Sequence, residues 1–159
     1  MYTADPRRRL LLHELELQCS FALAAYTEAA AAIESRNPDA FWGAMHALLA
    51  AAAQIQRFPE LDVPHDSPLR QPELASVGDT REAFERWIEQ HPRGPLRLSN
   101  FGPFGVSVAD PSVFARYIDV ERSVAILFGH AFHLPSLLAA VAELRERVRA
   151  ELHHLQEVV

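Results

Sequence analysis

The chain has 159 residues, a formal net charge of −6 and an apolar content of 49%. This length and composition are typical of one packed domain and exclude an intrinsically disordered chain. The negative charge is unfavourable for nucleic acid as a main ligand, and DNA is not expected as a partner, because non-specific binding to phosphates depends on Lys and Arg. The single cysteine, Cys19, excludes an intramolecular disulfide and a cysteine-based zinc site.

The N-terminal segment looks briefly like a secretion signal, since three arginines at 7–9 precede three leucines at 10–12. The apolar run ends at His13, which is too early for the hydrophobic region of a signal peptide. No later run approaches the roughly 18 uncharged apolar residues that a membrane span needs. We therefore predict a soluble, cytoplasmic protein with no membrane association.

Two long alanine-rich helices are predicted over about 6–35 and 38–58. Asp5 and Asn37 stand before them as N-caps, and each is followed by a proline in the first turn. The gap of two or three residues between the helices predicts an antiparallel pair. The apolar stripe of the first helix is predicted to comprise Leu11, Leu15, Ala22, Tyr26, Ala29 and Ile33.

The second half of the chain is predicted to hold two further helices, over about 73–90 and 135–156. On the first of these, Leu74, Val77, Phe84 and Ile88 are expected mostly on one face. A loop punctuated by Pro and Gly covers 91–112, and a tight β-hairpin is predicted over about 124–134, around Gly129 and His130. The predicted fold is all-α: one domain over 1–159, an antiparallel four-helix bundle with a small β-hairpin before the last helix.

Three segments resemble a bacterial branch of the HEPN superfamily, whose members are all-helical and in many cases metal-independent endoribonucleases. They are FWGAMHALLAAAAQI at 41–55, DSPLR at 66–70 with Trp87 further on, and FGHAFHLPSLLAAVAEL at 128–144. The resemblance implies an HEPN-like topology, and it implies a homodimer.

The catalytic motif of the resembled proteins is degenerate in this chain. In those proteins an Arg-Asn pair and then a Glu-His pair follow the SPL segment, and the Arg and His are catalytic. Alignment on Leu69 and Leu74 places Ala75 and Ser76 at the first pair. Asp79 and Thr80 then fall at the second, so only an acid is kept.

The leading hypothesis is therefore a non-catalytic HEPN-like binding or regulatory protein that acts as a homodimer. Its partner would be a protein, an RNA or a nucleotide held in the cleft where the lost active site would be. The candidate cleft residues are Ser76, Asp79, Thr80 and Arg81.

A second hypothesis is a metal-independent endoribonuclease that uses Arg149 and His154. The pair has the four intervening residues of HEPN motifs, and the chemistry needs His to take the 2′-hydroxyl proton and Arg to stabilise the phosphate. The opposing interpretation is that both side chains complement the dipole at the end of the last helix. A third hypothesis, a structural oligomerisation module, is not separated from the first by the sequence.

The homodimer is also predicted from a surplus of apolar residues. Trp42 lies off the main stripe of the second helix, and Phe101 and Phe104 lie in the long loop. Trp42 is either an interface anchor or a residue packed under that loop within its own chain.

No cofactor and no metal site are predicted. His130 and His133 have an odd spacing, which places them on opposite faces of a β segment, and no carboxylate pattern lies beside them. A phosphate-binding loop of the usual kind would need a lysine, and the chain has none.

Overall fold

The structure is a computed structural model that describes residues 5–60, 62–92, 96–100 and 110–157, without the side chain of Glu157. Phe101 and Phe104, which contributed to the dimer prediction, lie outside these ranges. The five helices of this part are α1 (Pro6–Glu34), α2 (Pro38–Gln56), α3 (Glu73–Val77), α4 (Thr80–Glu89) and α5 (Leu134–Glu157). Its four strands are β1 (Arg97–Ser99), β2 (Phe114–Asp119), β3 (Val124–Leu127) and β4 (His130–His133), and two short 3₁₀ helices cover Pro68–Arg70 and Pro111–Val113.

The all-α prediction is wrong, because the C-terminal half contains a four-stranded mixed sheet. Its strand order is β1-β2-β3-β4, with β1 parallel to β2 and the other neighbours antiparallel. The predicted hairpin is present as β3 and β4, but it is one edge of this larger sheet. The burial of β2 does not alternate along the strand, so the period-two pattern that identifies a half-buried strand is absent from its sequence.

The sheet is extended by an asparagine whose amide takes the place of backbone hydrogen bonds. Asn100 follows β1 and is buried. Its Nδ2 donates to the Ile118 carbonyl oxygen at 2.9 Å, and its Oδ1 accepts from the Ile118 N–H at 3.0 Å. The side chain therefore satisfies both backbone groups of a residue in β2 beyond the end of the short parallel pairing.

The α1–α2 hairpin contributes nearly half of the buried apolar residues. The Asp5 carboxylate accepts from the Arg7 N–H at 3.0 Å, and the Asn37 amide oxygen accepts from the Ala40 N–H at 3.1 Å, so each side chain caps a helix start. The buried stripe of α1 is rotated slightly from the predicted one and comprises Leu12, Leu15, Cys19, Ala22, Ala25, Ala29 and Ala32. Its small residues allow α2 to approach closely, and α2 is buried on most of its circumference.

The continuous helix predicted over 73–90 is broken between α3 and α4. Gly78 ends α3, and Asp79 has an extended backbone with φ −104° and ψ 92°. The Asp79 carboxylate accepts from the Glu82 N–H at 3.1 Å and so caps a new helix. The break changes which residues of α4 face inward: Ala83 and Trp87 are buried, whereas Ile88 is exposed.

A strained turn joins β3 to β4. Phe128 has a φ of +49° and Gly129 a φ of +85°, the left-handed pair that a two-residue hairpin turn requires. Glycine adopts this conformation without steric strain, whereas the left-handed conformation of a bulky residue such as Phe128 costs about 1–3 kcal/mol of conformational free energy. The Phe128 ring is buried and its N–H donates to the Ala115 carbonyl oxygen at 2.7 Å, and these contacts hold the turn in place.

No helix in the described part of the chain is long and apolar enough to cross a membrane.

Candidate functional site

A cleft of about 380 Å³ lies between the loop that follows α2 and the corner where β4 meets α5. This volume is within the range of small-molecule sites. The residues that line it are His65, Asp66, Ser67, Pro68, Arg70, Gln71, Pro72, Phe132, His133, Ser136 and Leu137.

The loop wall of the cleft is built around the short 3₁₀ helix Pro68–Arg70. Leu69 is fully buried and anchors the loop in the core. The Gln56 side chain, at the end of α2, donates to the Leu69 carbonyl oxygen at 3.0 Å and to the Gln71 carbonyl oxygen at 2.9 Å. Several prolines also restrict this segment, so its cleft-lining side chains project from a stiff backbone.

The opposite wall is formed by β4 and the first turn of α5. Phe132 is buried and forms its apolar base. Gln71 Nε2 donates to the Ala131 carbonyl oxygen at 2.9 Å, which ties the two walls together. His133 Nδ1 lies 2.7 Å from Ser136 Oγ, and this hydroxyl also donates to the His133 carbonyl oxygen at 3.2 Å. Because the Ser136 hydroxyl directs its hydrogen at the carbonyl oxygen, the Nδ1–H of His133 donates to Ser136 Oγ. In this neutral tautomer His133 Nε2 carries no hydrogen and can accept a hydrogen bond.

The cleft has more hydrogen-bonding groups than its own walls use. Arg70 donates from Nε to the Val63 carbonyl oxygen at 2.9 Å, and its two terminal NH₂ groups have no partner among the described residues. His65 and Asp66 also have unused groups: neither ring nitrogen of His65 and neither carboxylate oxygen of Asp66 has a hydrogen-bond partner among the described residues. The first turn of α5 also borders the cleft, and the positive end of a helix dipole favours an anion there.

A second polar cluster lies on the sheet side of α2. Arg116 Nε, on β2, donates to His46 Nε2 at 3.0 Å, and the guanidinium lies 5.2 Å from the centre of the Phe128 ring. No carboxylate of the described residues lies within ion-pair distance of Arg116. Burial lowers the pKa of His46, and the neighbouring charge of Arg116 lowers it further. Burial likewise lowers the pKa of Arg116.

The four predicted cleft residues lie together at the junction of α3 and α4, and the 380 Å³ cleft does not include them. Asp79 caps α4 and Thr80 begins it. Arg81 is exposed and pairs with Glu85 at 3.0 Å, an ordinary pair four residues apart on a helix. Ser76 is half-buried in α3.

Arg149 and His154 both lie on α5, and the Arg149 guanidinium contacts two carboxylates. Arg149 Nε contacts Glu16 Oε1 at 2.6 Å, and its NH1 lies 3.2 Å from Glu146 Oε1, so the guanidinium ties α5 to α1. The hydrogen bond to Glu16 raises the pKa of Arg149.

Trp42 is packed within its own chain. Only 7% of its surface is exposed, and its indole N–H donates to Ser99 Oγ, on β1, at 2.9 Å. The ring also meets Phe41 edge-to-face at 4.8 Å between centres. Trp42 therefore does not lie on the protein surface, where an interface anchor would lie.

Neither a metal cluster nor a reactive thiol was found in the described ranges. No group of three or more His, Cys, Asp or Glu residues within them is placed to hold a metal ion. Cys19 is buried, and burial raises the pKa of its thiol to about 11, so the thiol is protonated and unreactive at neutral pH.

No protein-family model, no curated protein and no solved structure matches the chain.

Sequence reasoning placed the candidate cleft residues at 76–81, and none of them lines the observed cleft. The DSPLR segment at 66–70 carried part of the family resemblance, and it forms the loop wall. The signal that identifies this wall is the run of prolines around His65 and Arg70, which stiffens a loop carrying ionisable side chains. His133 and Ser136 gave no such signal, because their position opposite the loop depends on how the sheet packs beside α5.

Proposed function

We propose that this protein is a non-catalytic binding protein whose 380 Å³ cleft holds a small ligand with a phosphate or carboxylate group, of about the size of a nucleotide. The observation that carries the proposal is the set of unused hydrogen-bonding groups on both walls of a preformed cleft. A guanidinium with two free NH₂ groups, as on Arg70, matches the paired oxygens of a phosphate or carboxylate.

The ligand class follows from the mixture of groups. Arg70 and the start of α5 favour negative charge, and the Ser67 hydroxyl can donate to the same anion. Asp66 adds an acceptor, which suits a ligand that also carries hydroxyl or amino donors. Pro68 and Pro72 supply apolar surface for the rest of the molecule. A nucleoside monophosphate has all three kinds of surface.

The wider hypothesis of an HEPN-like regulatory homodimer in the cytoplasm belongs to this proposal. Its support is the resemblance of three segments, one of which lines the cleft. A regulatory protein that changes its partner's activity when a nucleotide is bound would use such a site without catalysing a reaction.

The test is a nuclear magnetic resonance titration of isotope-labelled protein with inorganic phosphate, a nucleoside monophosphate and a short single-stranded RNA. We expect saturable amide shifts confined to residues 65–72 and 132–137. Arg70→Gln should weaken binding, whereas Arg81→Gln, an exposed arginine outside the cleft, should not. Shifts with RNA alone, located around Arg149 and His154, would instead favour the endoribonuclease hypothesis, and no cleft shifts with any probe would reject the proposal.

A further inference from the structure

A strip of exposed apolar residues runs along the outer face of α1. Leu10 is 70% exposed, Leu17 45% and Phe21 50%. Isolated exposed apolar residues are common on protein surfaces. Three large ones on the same face of one helix form a patch, and such patches mark interaction sites.

The strip has the spacing of a coiled-coil seam. From residue 7 to residue 28, steps of three and four residues alternate without interruption, and these positions fall within an arc of about 100° on an α-helix. We call this set the outer seam: Arg7, Leu10, Glu14, Leu17, Phe21, Ala24 and Glu28.

The outer seam nearly repeats the spacing of the buried stripe of the same helix. That stripe also advances in steps of three and four residues, and α2 and α5 cover it within the chain. α1 therefore has two helix-packing faces, of which one is filled inside the molecule. The other presents its large apolar residues to solvent.

The charges at the ends of the outer seam identify what fits it. The point midway between Arg7 and Glu28 lies between Leu17 and Gln18, about 16 Å along the helix from each charge. Neither side chain has an ion-pair partner among the described residues. When two such helices pair antiparallel about a two-fold axis at that midpoint, Arg7 of each copy lies opposite Glu28 of the other. A parallel pairing would bring like charges together.

We propose that the outer seam binds the same seam of a second copy, antiparallel, and that this contact forms the homodimer. Leu17 of the two copies would meet at the centre, Phe21 of each copy would lie opposite Glu14 of the other, and an ion pair would close each end. This inference deepens the homodimer part of the proposed function, but it does not depend on the ligand of the cleft.

The first test is the mass in solution, measured by light scattering from the low micromolar to the several-hundred-micromolar range. We expect the wild-type mass to approach two chains as concentration rises, and Leu17→Asp to have the mass of one chain. Leu17 is half-exposed, so circular dichroism should show that the variant is folded. Leu98→Asp is the matched control, because Leu98 is 66% exposed but lies on β1, outside the outer seam.

The second test is a charge exchange. Arg7→Glu and Glu28→Arg should each raise the dimer dissociation constant by about tenfold, and the double variant should return it to the wild-type value. A wild-type mass of one chain at every concentration would overturn the proposal, and so would a dimer unaffected by Leu17→Asp or a double variant that fails to recover. Because no ligand is present, none of these results depends on whether the cleft binds its proposed ligand.

Discussion

His46 and Arg116 are 70 residues apart in the chain, and their ring and guanidinium nitrogens are 3.0 Å apart in the fold. His46 is half-buried at the edge of the core, and its Nε2 accepts a hydrogen bond from Arg116. The donor could not be predicted, because β2 was not recognised as a strand. A neutral His46 accepts this bond, whereas a protonated one would face a second positive charge.

The free energy of unfolding should therefore depend on pH through His46. Burial, and then Arg116, lower its pKa in the folded protein below the ordinary value of 6.5. As pH falls below 6.5, the unfolded chain takes up a proton at His46 before the folded chain does, so the stability that neutral His46 contributes is full above that pH and declines below it. Denaturant unfolding at several pH values, for wild type and for His46→Gln, measures the effect. The advantage of the wild type should shrink from about pH 8 to about pH 5, and a pH-independent difference would contradict it.

Arg149 has a structural role that its position in the sequence did not reveal. Its contact with Glu16 joins the two longest helices, and both side chains remain partly in solvent, so the contribution to stability is small. The guanidinium is thus already paired with the carboxylates of Glu16 and Glu146 in the described fold.

We accordingly expect no cleavage of RNA at neutral pH, with or without added metal. Purified protein incubated with labelled structured and single-stranded RNA should leave both intact over hours. Cleavage that disappears in His154→Ala, and persists in the neighbouring variant His153→Ala, would establish the endoribonuclease hypothesis in place of the binding proposal.

At the scale of elements, the break between α3 and α4 decides which side chains enter the core. Glycine is costly inside a helix, Gly78 ends α3, and the Asp79 cap that follows it starts α4 in a new helical register. A continuous helix would have placed Ile88 on the buried face with Leu74. After the break, Trp87 occupies the core and its indole N–H donates to the Ser112 carbonyl oxygen at 3.0 Å.

Two neighbouring substitutions on α4 test this register. Trp87→Ala should lower the free energy of unfolding by about 3–5 kcal/mol, because the side chain is 1% exposed and its removal leaves a cavity. Ile88→Ala should change it by less than about 1 kcal/mol, since 41% of that side chain is already exposed. Denaturant midpoints measure both. Equal losses of unfolding free energy in the two variants would instead indicate a continuous helix over 73–90.

At the scale of the whole molecule, the sequence predicted the helical part better than the sheet. The caps at Asp5 and Asn37 and the long apolar stripes are local signals, and α1, α2 and α5 lie close to the segments they indicated. β1 has three residues, and β2 reaches it only through a parallel pairing that Asn100 extends with its side chain. Contacts of this kind depend on segments distant in the chain, and no local pattern contains them.

The cleft was predictable in the same uneven way. Its loop wall is a local feature, stiffened by prolines and anchored by Leu69, and the sequence singled this segment out. The motif alignment instead placed the candidate cleft at residues 76–81, which form helix ends and surface ion pairs. The opposite wall exists only because β4 leads directly into α5, with the Leu134 N–H donating to the Ser123 carbonyl oxygen at 2.9 Å.

The most direct test of the binding proposal is the affinity of a nucleoside monophosphate for wild type, Arg70→Gln and Arg81→Gln, measured by isothermal titration calorimetry. The two variants each remove one exposed guanidinium charge, and only Arg70 lines the cleft. Loss of a charge-assisted contact of about 1.5–3 kcal/mol should weaken binding at least about tenfold in Arg70→Gln and leave Arg81→Gln at the wild-type affinity. Equal affinities for all three proteins, or no heat of binding with the wild type, would contradict the account.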